Sequence, residues 1–127
     1  DVMYKTHPKG FYHEINNLDT FTKSKTNKSM IESLEYADTV ILDYLGSAFV
    51  EALCAGKDII YIDMKQRPYD KDNFNDFNSF VKVIPAYTKE GIFYLNVDEL
   101  IDAINSPHKD IKKQEKIAND YFLKVKN

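Results

Sequence analysis

Residues 40–63, VILDYLGSAFVEALCAGKDIIYID, contain the pattern that decides the fold. The stretch begins with an apolar run at 40–42, typical of a parallel strand covered on both faces, and ends with a second such run at 59–62. Between them, residues 48–55 are mostly good helix formers, and Gly56 stands where a glycine commonly follows a helix. Parallel strands must be joined by such a crossover, so the stretch predicts strand, turn, helix and strand of a layered α/β fold.

The turn before this helix, Gly46-Ser47, is the first candidate for a binding function. We expect Gly46 to permit close backbone approach and the Ser47 hydroxyl to cap the helix. A helix N-terminus has unpaired N–H groups that suit a phosphate, and ligands of open parallel sheets bind beyond the carboxyl ends of the strands. Glu51 follows Ser47 by one helical turn on the same face, where its carboxylate could accept bonds from a ribose diol. The plainer alternative is a turn glycine, an N-cap serine and a solvated glutamate.

Size and composition limit the classes of function. The chain has 127 residues, enough for one domain over 1–127, and its net charge of -3 gives no electrostatic case for binding nucleic acid or an anionic membrane. No apolar run approaches the roughly 20 residues that span a bilayer, and no signal peptide is visible. Cys54 is the single cysteine, which excludes an internal disulfide and fits a buried structural thiol in a reducing cytoplasm.

The first residues suggest a piece of a larger protein. The chain starts with Asp1 and passes at once into a strand pattern at 2–6, so we expect it to be the C-terminal part of a longer chain. His7 would then lie at the carboxyl end of that strand, before a turn at 8–10. The alternative for His7 is a loop histidine without a role.

Two further regions at the predicted sheet edge carry charged candidates. Asp43 closes the strand at 40–42 and could be a general base, although a bond to the backbone of its own turn is the interpretation we prefer. Residues 64–78 are charged and aromatic and predict a long loop at the same edge. In it, Arg67 or Lys65 could pair with a phosphate, and a plain exposed loop is the alternative.

The remaining patterns are secondary-structure signals. No CxxC, HExxH, Walker or GxGxxG motif is present, so they add no metal or cofactor site. Residues 80–84 fit either a strand or a helix end. The other predictions are a solvated loop with Lys23, Lys25 and Lys28, a helix opened by the capping box Ser29–Glu32, an edge strand at 91–95, a helix at 99–105 capped by Asp98, and a final amphipathic helix at 109–125.

Three segments together resemble the C-terminal half of a GT-B glycosyltransferase. They are Lys5-Thr6-His7-Pro8, residues 37–53 (ADTVILDYLGSAFVEAL) and residues 56–63 (GKDIIYID). The sequence is most similar to the CDP-glycerol glycerophosphotransferase and surface-polysaccharide group, whose members carry a Lys-x-His-Pro strand end, then "aDvlItDySS", then "gkPiify". Order, spacing and the trailing helix also match, so the resemblance covers nearly the whole chain. Leu45 replaces the first serine of that pattern, and Asp58 replaces its proline.

The resemblance implies a fold and a set of site residues. The fold is a three-layer Rossmann-like parallel sheet with helices on both faces, one GT-B half-domain truncated at its N-terminus. His7 would be catalytic, contacting donor phosphate or the transferred group and supplying positive charge or a proton. Arg67 joins the substrate-binding set as a possible phosphate contact. The diphosphate would lie at the helix N-terminus, and the ribose would bind Glu51. The other residues of the substrate-binding set are Lys5, Gly46, Ser47 and Ala48.

The implied activity is transfer of a glycosyl or glycerophosphate group from a nucleotide-diphosphate donor in cell-surface polysaccharide or teichoic-acid-like polymer synthesis. No bound metal or cofactor is implied, because helix N–H groups and a basic side chain stabilise the leaving phosphate. The missing N-terminal GT-B domain would supply the acceptor and usually a base, so we expect this piece alone to be inactive. The rest of the protein would hold it in the cytoplasm, peripherally at the inner face of the cell membrane.

Two other hypotheses remain open. A sugar-nucleotide 2-epimerase shares the fold but has a Gly-Gly-x-x-x-Glu turn, whereas only Gly46 precedes Ser47 here. A non-catalytic flavodoxin-like interaction domain would instead use its C-terminal helix to dock to a partner.

Overall fold

The computed structural model describes residues 29–65 and 75–123 with their side chains, and residues 3–5, 24–26 and 71–74 by their backbone. Two compact units make up the chain, Asp1–Ala37 and Asp38–Asn127. A single donor-binding domain over 1–127 stays a prediction.

The first unit contains a parallel strand pair and a short helix. Strand β1 (Met3–Lys5) pairs with β2 (Ser24–Thr26), which confirms the first strand and corrects the prediction that the lysine-rich segment is all loop. Helix α1 (Met30–Leu34) follows the N-cap Ser29, whose hydroxyl accepts a hydrogen bond from the Glu32 N–H at 3.2 Å. The N-cap half of the predicted capping box is therefore present.

The second unit is an α/β structure around a three-stranded parallel sheet. Strands β3 (Thr39–Leu42), β4 (Asp58–Asp63) and β5 (Lys82–Pro85) lie side by side in that order, so β4 is central. Helices flank this sheet in a Rossmann-like arrangement, as the sequence predicts. The ambiguous segment 80–84 contributes most of a strand because its apolar residues complete the sheet.

Helix α2 (Ser47–Cys54) is the crossover between β3 and β4. Its C-terminal end is a Schellman motif: Gly56, with φ +69°, donates its N–H to the Leu53 carbonyl, and the Lys57 N–H bonds to the Ala52 carbonyl. The predicted role of Gly56 is confirmed, because a residue with a Cβ is strained at this φ.

Helix α3 (Lys71–Asn78) lies between β4 and β5 in the chain, which corrects the prediction of one long loop over 64–78. The Phe77 ring contacts the rings of Phe49, Tyr61 and Phe80 at centroid distances of 5.8, 5.9 and 5.6 Å. The contacts with Phe49 and Tyr61 join distant segments and favour a helix here, although the segment's polar composition does not.

A β-hairpin and a helix follow the sheet. Strands β6 (Tyr87–Lys89) and β7 (Ile92–Tyr94) pair antiparallel through the two-residue turn Glu90-Gly91, whose positive φ values of 56° and 77° fit a type I′ turn. The predicted edge strand at 91–95 is thus half of a hairpin. In helix α4 (Val97–Asn105) the N-cap is Asn96 rather than Asp98, and its side chain accepts from the Glu99 N–H at 3.1 Å.

The chain ends, within the described residues, in helix α5 (Ile111–Ile117) and a π-helical turn at Ala118–Phe122. Of the predicted helix over 109–125, the described residues are α-helical at Ile111–Ile117 and π-helical at Ala118–Phe122. Both elements contact α2, and Gln114 and Ala118 are buried. Three residues of the predicted apolar stripe, Ile111, Tyr121 and Phe122, are exposed instead.

The core is centred on β4. Ile59 and Ile60 are 1% and 0% exposed although they point to opposite faces, so this strand is covered on both sides as predicted. Burial of each such side chain contributes roughly 1.5–3 kcal/mol. Strand β3 is different, because Ile41 is 41% exposed at the edge of the three-stranded sheet. Coverage on both faces was thus a wrong expectation for β3.

The amino end of the sheet is closed by buried hydrogen bonds. The Lys82 ammonium, 5% exposed, donates to Asp58 Oδ2 at 2.6 Å and to the carbonyls of Ala103 and Ser106 at 2.7 and 3.0 Å. One cation therefore ties β5 to β4 and to the C-terminal end of α4, where carbonyls lack intrahelical partners.

A second buried contact at this end joins α5 to the segment before β4. Gln114, 1% exposed, donates from Nε2 to the Lys57 carbonyl at 2.8 Å. Its Oε1 is then the acceptor for His108 Nε2 at 2.5 Å, which assigns the proton to that ring nitrogen. In the part of the chain that the structure describes, no helix has both the length and the apolar content to cross a bilayer.

Candidate functional site

The candidate site lies where β3 ends and α2 begins, at the carboxyl edge of the parallel sheet. The register places Leu42 beside Tyr61 and Asp63 beside Pro85, so the segments that follow all three strands leave from this edge. This is the position at which open α/β sheets bind ligands.

The N-terminus of α2 has no side-chain cap. Gly46 is the N-cap in an extended conformation, and Ser47 is the first helical residue, exposed and without a hydrogen bond from its hydroxyl among the described residues. The expected N-cap role of Ser47 was therefore wrong by one position. The Phe49 and Val50 N–H groups bond to the Gly46 carbonyl at 3.1 and 3.3 Å. Within the described residues, the N–H groups of Ser47 and Ala48 have no partner and point out of the first turn.

Gly46 has a packing role that the sequence did not predict. A Cβ at this position would lie 2.9 Å from Cε1 of the Tyr44 ring, so the missing side chain accommodates that ring. The close approach of a ligand's phosphate to Gly46 stays a prediction. The sequence signal for the contact with Tyr44 is an aromatic residue two positions before a glycine at a strand end.

Glu51 is the most unusual polar residue of the site. It is half-buried, and its Oε2 is buried without a hydrogen-bond partner in the described part of the chain. The alternative of a solvated helix glutamate is therefore wrong. Side chains of a helix lean towards its N-terminus, so the Glu51 carboxylate lies on the face of α2 that also carries Ser47. Since buried polar atoms are nearly always paired, this oxygen is a candidate acceptor for a ligand.

Two aspartates at this edge have different environments. Asp43 is exposed and makes no hydrogen bond to its turn among the described residues, which corrects our preferred interpretation. Asp63 Oδ1 accepts from the Lys65 N–H at 2.8 Å and stabilises a turn in which Lys65 has φ 57°. A non-glycine residue in this left-handed region is uncommon, and the bond from Asp63 explains how the turn tolerates it.

The structure brings four predicted binding residues together on one helix and its cap: Gly46, Ser47, Ala48 and Glu51. His7 and Arg67 lie outside the described residues, and Lys5 is described only as a backbone position in β1. The roles predicted for these three residues stay predictions. Cys54, expected to be a buried thiol, is free and half-buried at the end of α2.

The described residues also contain a groove, but no candidate metal site. No group of three His, Cys, Asp or Glu side chains is close enough to hold a metal ion there. A groove of about 440 Å³ runs between α3 and α5, and Phe77, Phe80 and Tyr121 contribute to its lining. Its Lys113 ammonium bonds to Asp76 Oδ1 at 2.5 Å and to Ser79 Oγ at 2.6 Å, so this charge is neutralised within the chain.

No protein-family model matches the sequence, and no curated protein or solved structure matches it either. The site must therefore be interpreted from its own chemistry.

Proposed function

We propose that this chain is the donor-nucleotide-binding half of a GT-B transferase that moves a glycosyl or glycerophosphate group during surface-polymer synthesis. The observation that carries the proposal is the pair of groups left without partners on α2: the N–H groups of Ser47 and Ala48, and the buried Oε2 of Glu51.

These groups differ in charge preference, and the difference matches a nucleoside diphosphate. Free N–H groups and the positive end of the helix dipole favour an anion at Ser47 and Ala48. Glu51 lies one turn further along, about 6 Å at 1.5 Å per residue, where a carboxylate would repel a phosphate but accept hydrogen bonds from hydroxyls. A ribose diol beside a diphosphate presents both chemistries at about this spacing.

The chemistry of the proposed transfer is electrostatic. As the bond to the leaving nucleoside phosphate breaks, negative charge develops on its phosphate oxygens. The uncapped N–H groups of α2 would stabilise that charge without having to reorganise. His7, which the family pattern places nearby, would add positive charge or a proton.

Two residues bear on which group is transferred. Leu45 supplies no hydroxyl where the resembled pattern has a serine, so a glycerophosphate donor is the weaker of the two choices. Asp58 replaces a proline at the opposite end of β4, where it pairs with Lys82, so this departure does not touch the proposed site.

Calorimetric titration of CDP- and UDP-linked donors into the 127-residue chain tests the proposal. We expect saturable binding that weakens about 10- to 100-fold in Glu51→Gln, since a hydrogen bond to a charged group contributes about 1.5–3 kcal/mol. Glu115→Gln is the matched control, because Glu115 is exposed on α5. Absence of binding of any nucleotide to the folded chain would count against the proposal.

A test of the predicted role of His7 requires the full-length protein. His7→Ala is expected to lower the rate of group transfer more than it lowers donor affinity, since a catalytic group acts in the transition state. Loss of affinity alone, at an unchanged turnover rate, would make His7 only a binding residue.

A further inference from the structure

The β6–β7 hairpin is exposed on both of its faces. All six strand residues are exposed, and Tyr87 and Tyr94 stack on each other with their ring centroids 5.7 Å apart. Phe93, on the opposite face of β7, is 52% exposed. A two-stranded hairpin is only marginally stable without further packing, so apolar residues on both faces indicate a surface that another element covers.

Helix α4, which follows the hairpin after two residues, has an uncovered apolar stripe. Val97, Ile101 and Ile104 recur at helical spacing and are 61%, 47% and 41% exposed, and no residue of α4 is buried. An amphipathic helix normally buries this stripe against its own core. Here α4 contacts β5, but most of its apolar side chains remain accessible.

The outer edge of β7 is only three residues long, but it carries none of the charged or proline residues that often prevent strand pairing. Ile92, Phe93 and Tyr94 include no charge and no proline, whereas β6 carries Lys89. In a two-residue hairpin the pair that closes the turn, Lys89 and Ile92, exchanges the hydrogen bonds. By alternation, the N–H and C=O of Phe93 then point to the open edge, where no described strand pairs with them.

We propose that β7 pairs antiparallel with β7 of a second copy of this chain, joining two hairpins into a four-stranded sheet across a two-fold axis. Pairing centred on Phe93 lets the two Phe93 residues exchange both backbone hydrogen bonds, and it sets Ile92 opposite Tyr94. This register places no two like charges opposite each other, because Glu90 of one copy lies opposite Asn96 of the other. A strand that pairs antiparallel with its own copy closes the assembly at two subunits.

The exposed apolar side chains of the hairpin and α4 limit the area that a dimer can bury. Seven large apolar side chains of the hairpin and α4 are 41% to 61% exposed. At on the order of 200 Å² per side chain, half-exposure leaves about 700 Å² accessible over both hairpin faces and α4, which is the most that one copy can bury, against roughly 800 Å² per partner of a standard interface. A second copy supplies this area and the matching strand edge together. The seven side chains are those of Tyr87, Ile92, Phe93, Tyr94, Val97, Ile101 and Ile104.

Sedimentation velocity of the 127-residue chain over a range of concentrations tests the proposal. We expect a reversible species of twice the 14.8 kDa chain mass. Phe93→Pro removes the outward N–H while leaving the bonds within the hairpin, so it should raise the dimer dissociation constant at least tenfold. Phe93→Val keeps that N–H and should raise the constant less. Ile101→Lys, on α4, should also weaken the dimer without touching the strand.

The matched control is Tyr121→Lys, because Tyr121 is 77% exposed but lies outside the hairpin and α4. Circular dichroism melts establish that each variant is folded. A monomeric wild type at millimolar concentration overturns the proposal, and so does a dimer that Phe93→Pro and Ile101→Lys leave unchanged. Open-ended assembly beyond two copies overturns it as well, and a monomer that binds only a different protein assigns the surface to that protein.

Discussion

At the amino end of the three-stranded sheet the buried Lys82 ammonium makes three hydrogen bonds, whereas at the carboxyl end the buried Glu51 Oε2 makes none among the described residues. A related contrast separates the buried Gln114, which bonds to Lys57 and His108, from the exposed Ser47. The Ser47 hydroxyl has no partner within the described residues. Polar groups that hold elements together are satisfied within the chain. The buried Glu51 oxygen, which lacks a partner among the described residues, lies where a ligand of a parallel sheet would bind.

Lys82→Met gives the largest effect that we expect from this contrast. Removing one partner of a buried ion pair should lower the free energy of unfolding by about 3–5 kcal/mol, because Asp58 is left without its cation. Urea denaturation measures the change. Lys116→Met is the control, since its pair with Asp120 is exposed and should contribute only about 0–1 kcal/mol. Equal losses in both variants would mean that the buried pair at the amino end stabilises the fold no more than an exposed pair does.

Gln114→Leu should come next, with a loss of about 1–3 kcal/mol. Leucine fills much of the buried volume but leaves the Lys57 carbonyl and His108 Nε2 without their partner. The same denaturation experiment measures this loss, and hydrogen exchange should rise at amides of the segment before β4. An unchanged unfolding free energy would show that water replaces these bonds easily.

Glu51→Leu is predicted to have the opposite sign. Removing a buried oxygen that has no partner should raise the free energy of unfolding by about 1 kcal/mol, while donor binding is lost. A thermal melt combined with the nucleotide titration measures both quantities. If the variant is clearly less stable, the Glu51 carboxylate stabilises the fold and is not reserved for a ligand.

Ser47→Ala should have the smallest effect on stability, within about 0.5 kcal/mol, because the hydroxyl caps nothing. Ser29→Ala is its counterpart at α1, where the hydroxyl does cap the helix, and it should cost about 1 kcal/mol. Thermal melts of the two variants give the comparison directly. A larger loss for Ser47 would mean that its hydroxyl is bonded in solution.

The sequence predicted the central βαβ unit because local and global signals agree there. Residues 59–62 are apolar on both faces, and Gly56 marks the end of α2, so burial and backbone conformation point to the same structure. The N-cap of α2 was misplaced by one residue, since a Gly-Ser pair offers two capping candidates and only the backbone path decides between them.

The elements that the sequence did not predict depend on tertiary contacts. The polar segment 71–78 is helical, and Phe77 near its end contacts the distant rings of Phe49 and Tyr61, which no local periodicity encodes. Strand β6 was missed although Glu90-Gly91 is a two-residue turn, because glutamate is unusual at a left-handed position. Within the site, the position of Glu51 on α2 was predictable from spacing, but the burial of its oxygen was not.

The contact between Asp58 and Lys82 has an evolutionary consequence. The two residues are 24 positions apart, and replacing either one alone leaves the other charge buried without its counter-charge, so we expect them to change together. A relative that carries proline at position 58 should carry an uncharged residue at position 82. A lineage that exchanged the two residues one at a time would have passed through a less stable protein.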